Sequence, residues 1–486
     1  MNIPLNTRTV SRFGRNTLWS ILNQGISQVM VLIVFIITSR FITKESFGLM
    51  AVAMLIVEAF KQIFIESIAT RFFATKDNVD EDYSAGFNIV IFGSVIGFLI
   101  IFFSASFIGK IFKQSSISEI LIWISFLLLT AGTSKMHEVW LIKHGNFQIL
   151  ASRSFFSIFA GGVIGITMAM NGYGVTSLIA QQIVTAVVAT AWLWLGTNWR
   201  PDFRIHFKRI KKILSFTKYI VINQAIWLAG SQADIFFTAF YLGAAQTGIY
   251  NASKRLSTAS ILIINSGLNS VAFPALAGLQ GDQYKQNNAF LQLVFFTASV
   301  AAPIFFNMAL FSYELVDMLL GEKWIDAWPT LSILSIINLI LCLEQYSNNI
   351  IYIKNKPNWQ TIVSISKSIV SVTIVTLSAS QGLQILALSL LIKTFLFWQI
   401  TTFLALKLLN ISAIDYLNKI KIPIISAALM FICVYLIKYL VPLPPLKSFC
   451  SFIPISLIFY FSIFYVLNKR EFMEVFKIFS IIIRRN

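Results

Sequence analysis

The chain is written as long apolar runs cut by short polar ones. Scanning for stretches bounded by charge, Gly or Pro predicts fourteen helices, over about 18–41, 46–70, 84–108, 117–139, 148–170, 173–196, 213–241, 248–273, 287–312, 327–352, 359–379, 382–406, 421–441 and 448–467. A spanning helix needs about 20 predominantly apolar residues to cross roughly 30 Å of hydrocarbon, so each run suffices. The basic stretch "RPDFRIHFKRIKK" follows the sixth run and divides the first twelve into two sixes. The expected fold is an all-α integral membrane protein with an N-lobe over 1–196 and a basic linker over 197–212. A C-lobe over 213–407 follows, then two peripheral helices and a basic tail over 408–486.

The two sixes begin alike. "LNQGI" occupies 22–26, and "INQAI" occupies 222–226. Sliding 17–42 onto 217–242 without a gap aligns Thr17 with Thr217, Asn23 with Asn223, Gln24 with Gln224 and Thr38 with Thr238. The same offset places Gly48 on Gly248. Both sixes start from one face of the membrane, so the repeat is parallel, with a pseudo-two-fold axis along the membrane normal. Equivalent Asn–Gln pairs point to a shared hydrophilic cavity, although hydrogen bonding between packed helices accounts for them equally well.

Composition narrows the class. Of 486 residues, 57% are hydrophobic and 12% charged, where a soluble domain carries roughly 25% charged residues. The net charge of +18 does not point to nucleic acid, because Lys and Arg of membrane proteins accumulate in cytoplasmic loops. They crowd the N-terminal arm (Arg8, Arg12, Arg15), the linker and the tail. The opposite loops hold only Arg40, Lys44, Lys110, Lys113, Lys323, Lys438 and Lys447, and Lys438 is near enough to an end to snorkel. Both termini are therefore expected in the cytoplasm. The opening residues are polar and basic, and the apolar run after them lacks a cleavage site, so no cleavable signal peptide is expected. Cys342, Cys433 and Cys450 sit in apolar runs without CxxC spacing, and His137, His144 and His206 are dispersed. With no GxxxxGK[ST] loop either, the chain offers no metal site, no nucleotide hydrolysis and no catalytic constellation. An enzyme is not expected.

Charge inside the bilayer carries the remaining information. An ionised group at mid-membrane costs on the order of 3 kcal/mol, so such residues usually face a bundle interior or water. Span 2 carries Glu58, Gln62 and Glu66 at a spacing of four, with Lys61 adjoining. Span 7 carries Asn223, Trp227, Gly230 and Asp234, and span 11 carries Gln360, Ser364, Lys367 and Ser371. Arg255 and Asn265 lie in span 8, Glu344 in span 10, Lys135 in span 4 and Lys393 in span 12. Glu58, Asp234, Lys367 and Lys393 are the deepest and are expected to face a cavity. Pro303 predicts a kink in span 9, and "SYELVDMLLGEKW" reads as a short amphipathic helix on the outer surface or as a plain connector.

Four stretches resemble the Wzx-type polysaccharide repeat-unit flippases, the colanic-acid-like subgroup of the multidrug/oligosaccharidyl-lipid/polysaccharide exporter superfamily. They are "ESFGLMAVA" (45–53), "LGAAQTGIYNASKRL" (242–256), "AFPALAGLQGD" (272–282) and "LLGEKWIDAWPTLSIL" (319–334). The likeness covers most of the first 350 residues. Where relatives tend to have an acidic-glycine signal near the end of span 2, this chain has "FIESIATRFF", so no role passes to Glu66.

The resemblance implies two six-helix lobes around a cavity in the inner membrane. The implied substrate is an undecaprenyl-diphosphate-linked oligosaccharide moved by alternating access for surface polysaccharide synthesis. Partners would be membrane lipids, a polysaccharide polymerase and export proteins. On this reading Arg255, Lys367 and Lys393 meet the diphosphate, while Asn23, Gln24, Asn223, Gln224 and Asn265 meet sugar hydroxyls. Glu58, Asp234 or Glu344 would couple the cycle to an H+ or Na+ gradient, with no cofactor. An ion-coupled multidrug or small-molecule antiporter of the same superfamily is the alternative. Its cavity should be dominated by carboxylates and aromatics, whereas the deep charges here are mixed and favour an anionic substrate. A polymerase or ligase should carry a large outer loop, and none here exceeds about a dozen residues.

Overall fold

The computed structural model describes residues 25–75 and 79–473, with backbone alone for 262–271, 274 and 275. Asn23 and Gln24 lie outside the described residues. All described secondary structure is helical. The first helices are α1 (Gly25–Ser39), then α2 (Lys44–Phe60) joined through a π-helical turn (Lys61–Ile65) to α3 (Glu66–Ala74). Next come α4 (Asp80–Ile111), α5 (Ser116–Lys143), α6 (Phe147–Met170), α7 (Val175–Gly196), α8 (Phe207–Ser231) and α9 (Ala233–Gly278). The chain continues with α10 (Gln283–Leu310), α11 (Ser312–Leu320), a 3₁₀ turn (Glu322–Ala327), α12 (Trp328–Ile353) and α13 (Pro357–Ala379). It ends in α14 (Leu383–Leu409), α15 (Ala413–Leu440) and α16 (Pro445–Leu467).

Eleven helical stretches among the described residues are long and apolar enough to cross a membrane. The other expected spans fall on α1, described only from Gly25, on the basic α8, and on α9. Span 7 is not continuous: α8 stops at Ser231, Gln232 leaves helical geometry, and Ala233 begins the next helix, with Asp234 in its first turn. Helix α9 is itself kinked at Gly243, where φ is +79°. The outward faces suit acyl chains. Phe92, Phe103 and Phe107 of α4 are 68%, 77% and 66% exposed, an apolar stripe that water would penalise and lipid does not. The molecule is a multi-pass membrane protein.

The chain forms two compact units, Met1–Asn251 and Ala252–Asn486. In the first unit, α6 and α7 approach closely because Gly161 and Gly165 leave room. A Cβ at Gly161 would stand 1.9 Å from Thr185 Oγ1 and 2.6 Å from Gln181 O. The basic linker is strapped to this unit rather than free. Asp202 N–H donates to Ser84 Oγ (3.0 Å), and Asn88 Nδ2 donates to Arg204 O (3.1 Å). Arg209 Nη1 meets Asp82 Oδ1 at 2.8 Å, and Arg209 also pairs with Glu81. The hydrogen bond with Asp82 raises the Arg209 pKa above its ordinary value, so this strap stays charged. Gly48 and Gly248, paired by the sequence offset, also meet in this unit. A Cβ at Gly48 would lie 1.8 Å from Ala244 O, and one at Gly248 would lie 2.0 Å from Lys44 O. Residues 44 and 244 stand at the same offset, so the contact is reciprocal.

In the second unit α15 and α16 pack on α10 and α12. Ala427, Met430, Phe452, Tyr460 and Phe464 share one core with Phe295, Phe305 and Cys342. Pro303 has no N–H and leaves the Ser299 carbonyl of α10 without its intrahelical donor. Tyr460 OH supplies one at 2.9 Å. Lys438, expected to snorkel, is instead paired: its Nζ lies 2.7 Å from Glu314 Oε1, which also accepts from Ser448 Oγ at 2.8 Å. That pair and the buried Val316, Leu320 and Trp324 hold the segment 312–327 against the fold, and its first part, Ser312–Leu320, forms the short helix the sequence suggested.

Candidate functional site

A cavity of about 260 Å³ opens within the first unit among α2, the π-turn, α3, α5, α6 and α7. Its charged lining is Glu58, Lys61, Glu66, Lys135, Glu138 and Arg153. The π-turn sets the register. In a continuous α-helix eight residues at about 100° each would leave Glu58 and Glu66 about 80° apart. The wider turn underwinds the helix and brings both to the cavity wall, while Gln62, expected on their face, does not line it.

The six charges form two linked groups. Lys61 Nζ lies 2.6 Å from Glu58 Oε1. Lys135 Nζ lies 2.6 Å from Glu66 Oε1 and 3.5 Å from Glu138 Oε2, which Arg153 Nη1 approaches to 3.3 Å. Side chains of Lys135 and Glu58 are 12% and 46% exposed, so the network grades from packed to open. Hydroxyls complete the wall. Thr130 donates to Leu127 O (3.0 Å), Ser134 to Thr130 O (2.8 Å), and Thr185 to Gln181 O (2.7 Å). Glu138 and Arg153 were missed in the sequence because both fall near expected span ends, where charge is cheap. The signal available was the i,i+3 spacing of Lys135 and Glu138.

The second unit holds a smaller buried constellation. Glu344 of α12 is 2% exposed. Its carboxylate receives Lys367 Nζ of α13 at 2.8 and 3.0 Å, and Thr401 Oγ1 of α14 at 3.1 Å. Lys393 Nζ donates to Ser371 Oγ at 3.1 Å. Glu344 and Lys367, expected in separate roles, are thus direct partners. Asp234 is buried and satisfied locally: Tyr250 OH donates to Oδ2 at 2.6 Å, and the Ile235 N–H donates to Oδ1 at 2.8 Å. Asn223 is exposed on α8 and Gln224 half-buried, neither lining the 260 Å³ cavity. Arg255 is exposed on α9, and the Asn265 side chain lies outside the described residues. Of the described residues expected to bind substrate or couple an ion, Glu58 alone lines this cavity, and beside it stand Lys61, Glu66 and Lys135, which the sequence singled out as charges within the membrane. No cluster of His, Cys, Asp or Glu suited to a metal ion occurs among the described residues.

Residues 37–329 match the family model described as polysaccharide biosynthesis protein. The chain belongs to that family. As a polysaccharide biosynthesis protein it is similar to the succinoglycan biosynthesis transport protein ExoT of Rhizobium meliloti, 24% identical over 70% of this chain and 68% of ExoT. It is also similar to the lipopolysaccharide biosynthesis protein WzxC of Escherichia coli, 19% identical over 66% of each chain. Among solved structures, the lipid II flippase MurJ in an inward closed conformation superposes with a TM-score of 0.74 at 12% identity, covering 96% of this chain and 99% of MurJ. An inward-facing multidrug resistance MATE family transporter of the MOP superfamily gives 0.60 at 14% identity, covering 79% and 94%. The fold of this family member is therefore of the MOP type, and its named relatives and neighbours are transport and biosynthesis proteins and a flippase.

Proposed function

We propose that this protein flips undecaprenyl-diphosphate-linked oligosaccharide repeat units across the bacterial inner membrane by alternating access, for assembly of a surface polysaccharide. Supporting this reading is a charged, hydroxyl-lined cavity enclosed by helices that are apolar enough to span a membrane. Placing six ionisable groups there costs on the order of 3 kcal/mol each unless they are paired and wetted, which argues for a function rather than for packing. Both termini and the linker face the cytoplasm on this reading, and a polymerase takes the delivered unit. The multidrug alternative needs carboxylates free to bind cations, and each cavity carboxylate already has a Lys or Arg nitrogen within 3.5 Å.

The diphosphate is assigned to the cations Lys367, Lys393 and Arg255, and the sugars to Asn and Gln side chains such as Asn223 and to the cavity. Glu344 is the strongest of the three candidate coupling acids. If the diphosphate takes Lys367, a carboxylate that is 2% exposed loses its counter-ion, and an H+ or Na+ drawn from the gradient takes that place. Proteoliposomes test the function directly. A fluorescent undecaprenyl-diphosphate trisaccharide should become accessible to a membrane-impermeant quencher faster with the protein than without it. Equal rates under an imposed proton or sodium gradient would reject flipping.

A further inference from the structure

We infer that the cavity in the first unit takes a neutral, hydroxyl-bearing sugar residue and discriminates against carboxylated or phosphorylated sugars. This deepens the proposed function and rests on it. The charges on the wall balance, with Glu58, Glu66 and Glu138 against Lys61, Lys135 and Arg153. Every one of these cations is engaged by a carboxylate at 2.6–3.5 Å. An anion entering here adds negative charge beside three carboxylates and competes with them for cations they already hold, and no cation on the wall is left over to balance it.

The hydroxyls point the same way. Thr130, Ser134 and Thr185 each spend their one proton on a backbone carbonyl, so toward the cavity they present lone pairs alone. A sugar O–H can donate to those oxygens and to the carboxylates, and its own oxygen can accept from the remaining N–H bonds of Lys135 and Arg153. An ionised carboxylate or phosphate has no proton to give and meets only repulsion from them. The mixed lining of Lys and Glu, which in sequence suggested an anionic substrate, in place suits a neutral one. Charged parts of the carrier lipid therefore belong elsewhere in the protein.

Protein in nanodiscs, titrated with three probes, tests this. The probes are undecaprenyl diphosphate bearing a trisaccharide of neutral hexoses, the same lipid with one hexose replaced by a hexuronic acid, and the lipid without sugar. Wild type should bind the neutral glycan about tenfold more tightly than the uronic acid. Glu138→Gln, which leaves the wall with one excess positive charge, should shift that ratio about tenfold toward the acid. Thr185→Val keeps the shape and removes an acceptor, so it should weaken the neutral glycan severalfold and leave the bare lipid unchanged. Uronic acid binding as tightly as the neutral glycan in wild type overturns the inference. So does a ratio unmoved in a Glu138→Gln protein that melts and elutes like wild type, or sugar-independent binding of all three probes. Transport of both glycans in vesicles alongside such a result would leave the flippase reading standing, whereas transport of neither would remove it.

Discussion

The charged side chains of this protein work in pairs, and pairing decides what each can do. Lys367 and Glu344 illustrate the point, since a buried carboxylate deprived of its cation is far costlier than a pair removed together. Lys367→Ala should lower stability by about 3 kcal/mol, read as a thermal shift in detergent. The double variant Lys367→Met/Glu344→Gln should regain most of that loss. If the double variant melts no higher than the single one, the pair is not the source of the effect. His137 shows a buried polar group with no such partner. Its Nδ1 lies 2.7 Å from Thr197 Oγ1, whose own proton goes to Leu193 O at 2.9 Å, so the imidazole donates through Nδ1. The pattern along the chain located Glu58 and Glu344, yet it could not say which nitrogen each carboxylate would find.

At the scale of helices, backbone irregularities place the chemistry. The π-turn at Lys61–Ile65 has no signature in the hydrophobic pattern, because one widened turn alters the phase without altering apolarity. Pro303 inside α10 was legible, and the carbonyl it would free was not. The carbonyl it frees is the one that anchors α16, so Tyr460→Phe should cost about 1–3 kcal/mol through an orphaned buried acceptor, measured by thermal denaturation. A neutral substitution would mean that the Ser299 carbonyl finds water instead. The glycine contact makes a second claim at this scale. Gly48→Ala and Gly248→Ala each drive a methyl into a carbonyl oxygen across the contact, and each should destabilise by about 1–3 kcal/mol because backbone has to move. A tolerated alanine at either position would show that the approach is not held this tightly.

For the whole molecule, orientation is the property the sequence addresses best and coordinates alone do not. Exposed linker positions such as Arg204 and Lys211, replaced singly by Cys in a background lacking Cys342, Cys433 and Cys450, should react with a membrane-impermeant maleimide only after cells are permeabilised. Labelling in intact cells would reverse the assigned topology. The strap of that linker across α4 fixes the start of α8 on the first compact unit. Arg209, Asp202 and Asn88 tie its start to this unit before the next helices begin.

The amino-acid pattern by itself determined that the chain is helical and membrane-spanning, because lipid allows no unsatisfied backbone and admits polar residues only at a cost. It also carried the family likeness. The tertiary structure alone decided that Glu138 and Arg153 belong to the cavity, that Glu344 holds Lys367, and that Asp234 accepts from Tyr250. Those outcomes depend on which helix faces which, and on a fraction of a turn in each. Long-range packing sets both, and hydrophobicity along one chain does not record them.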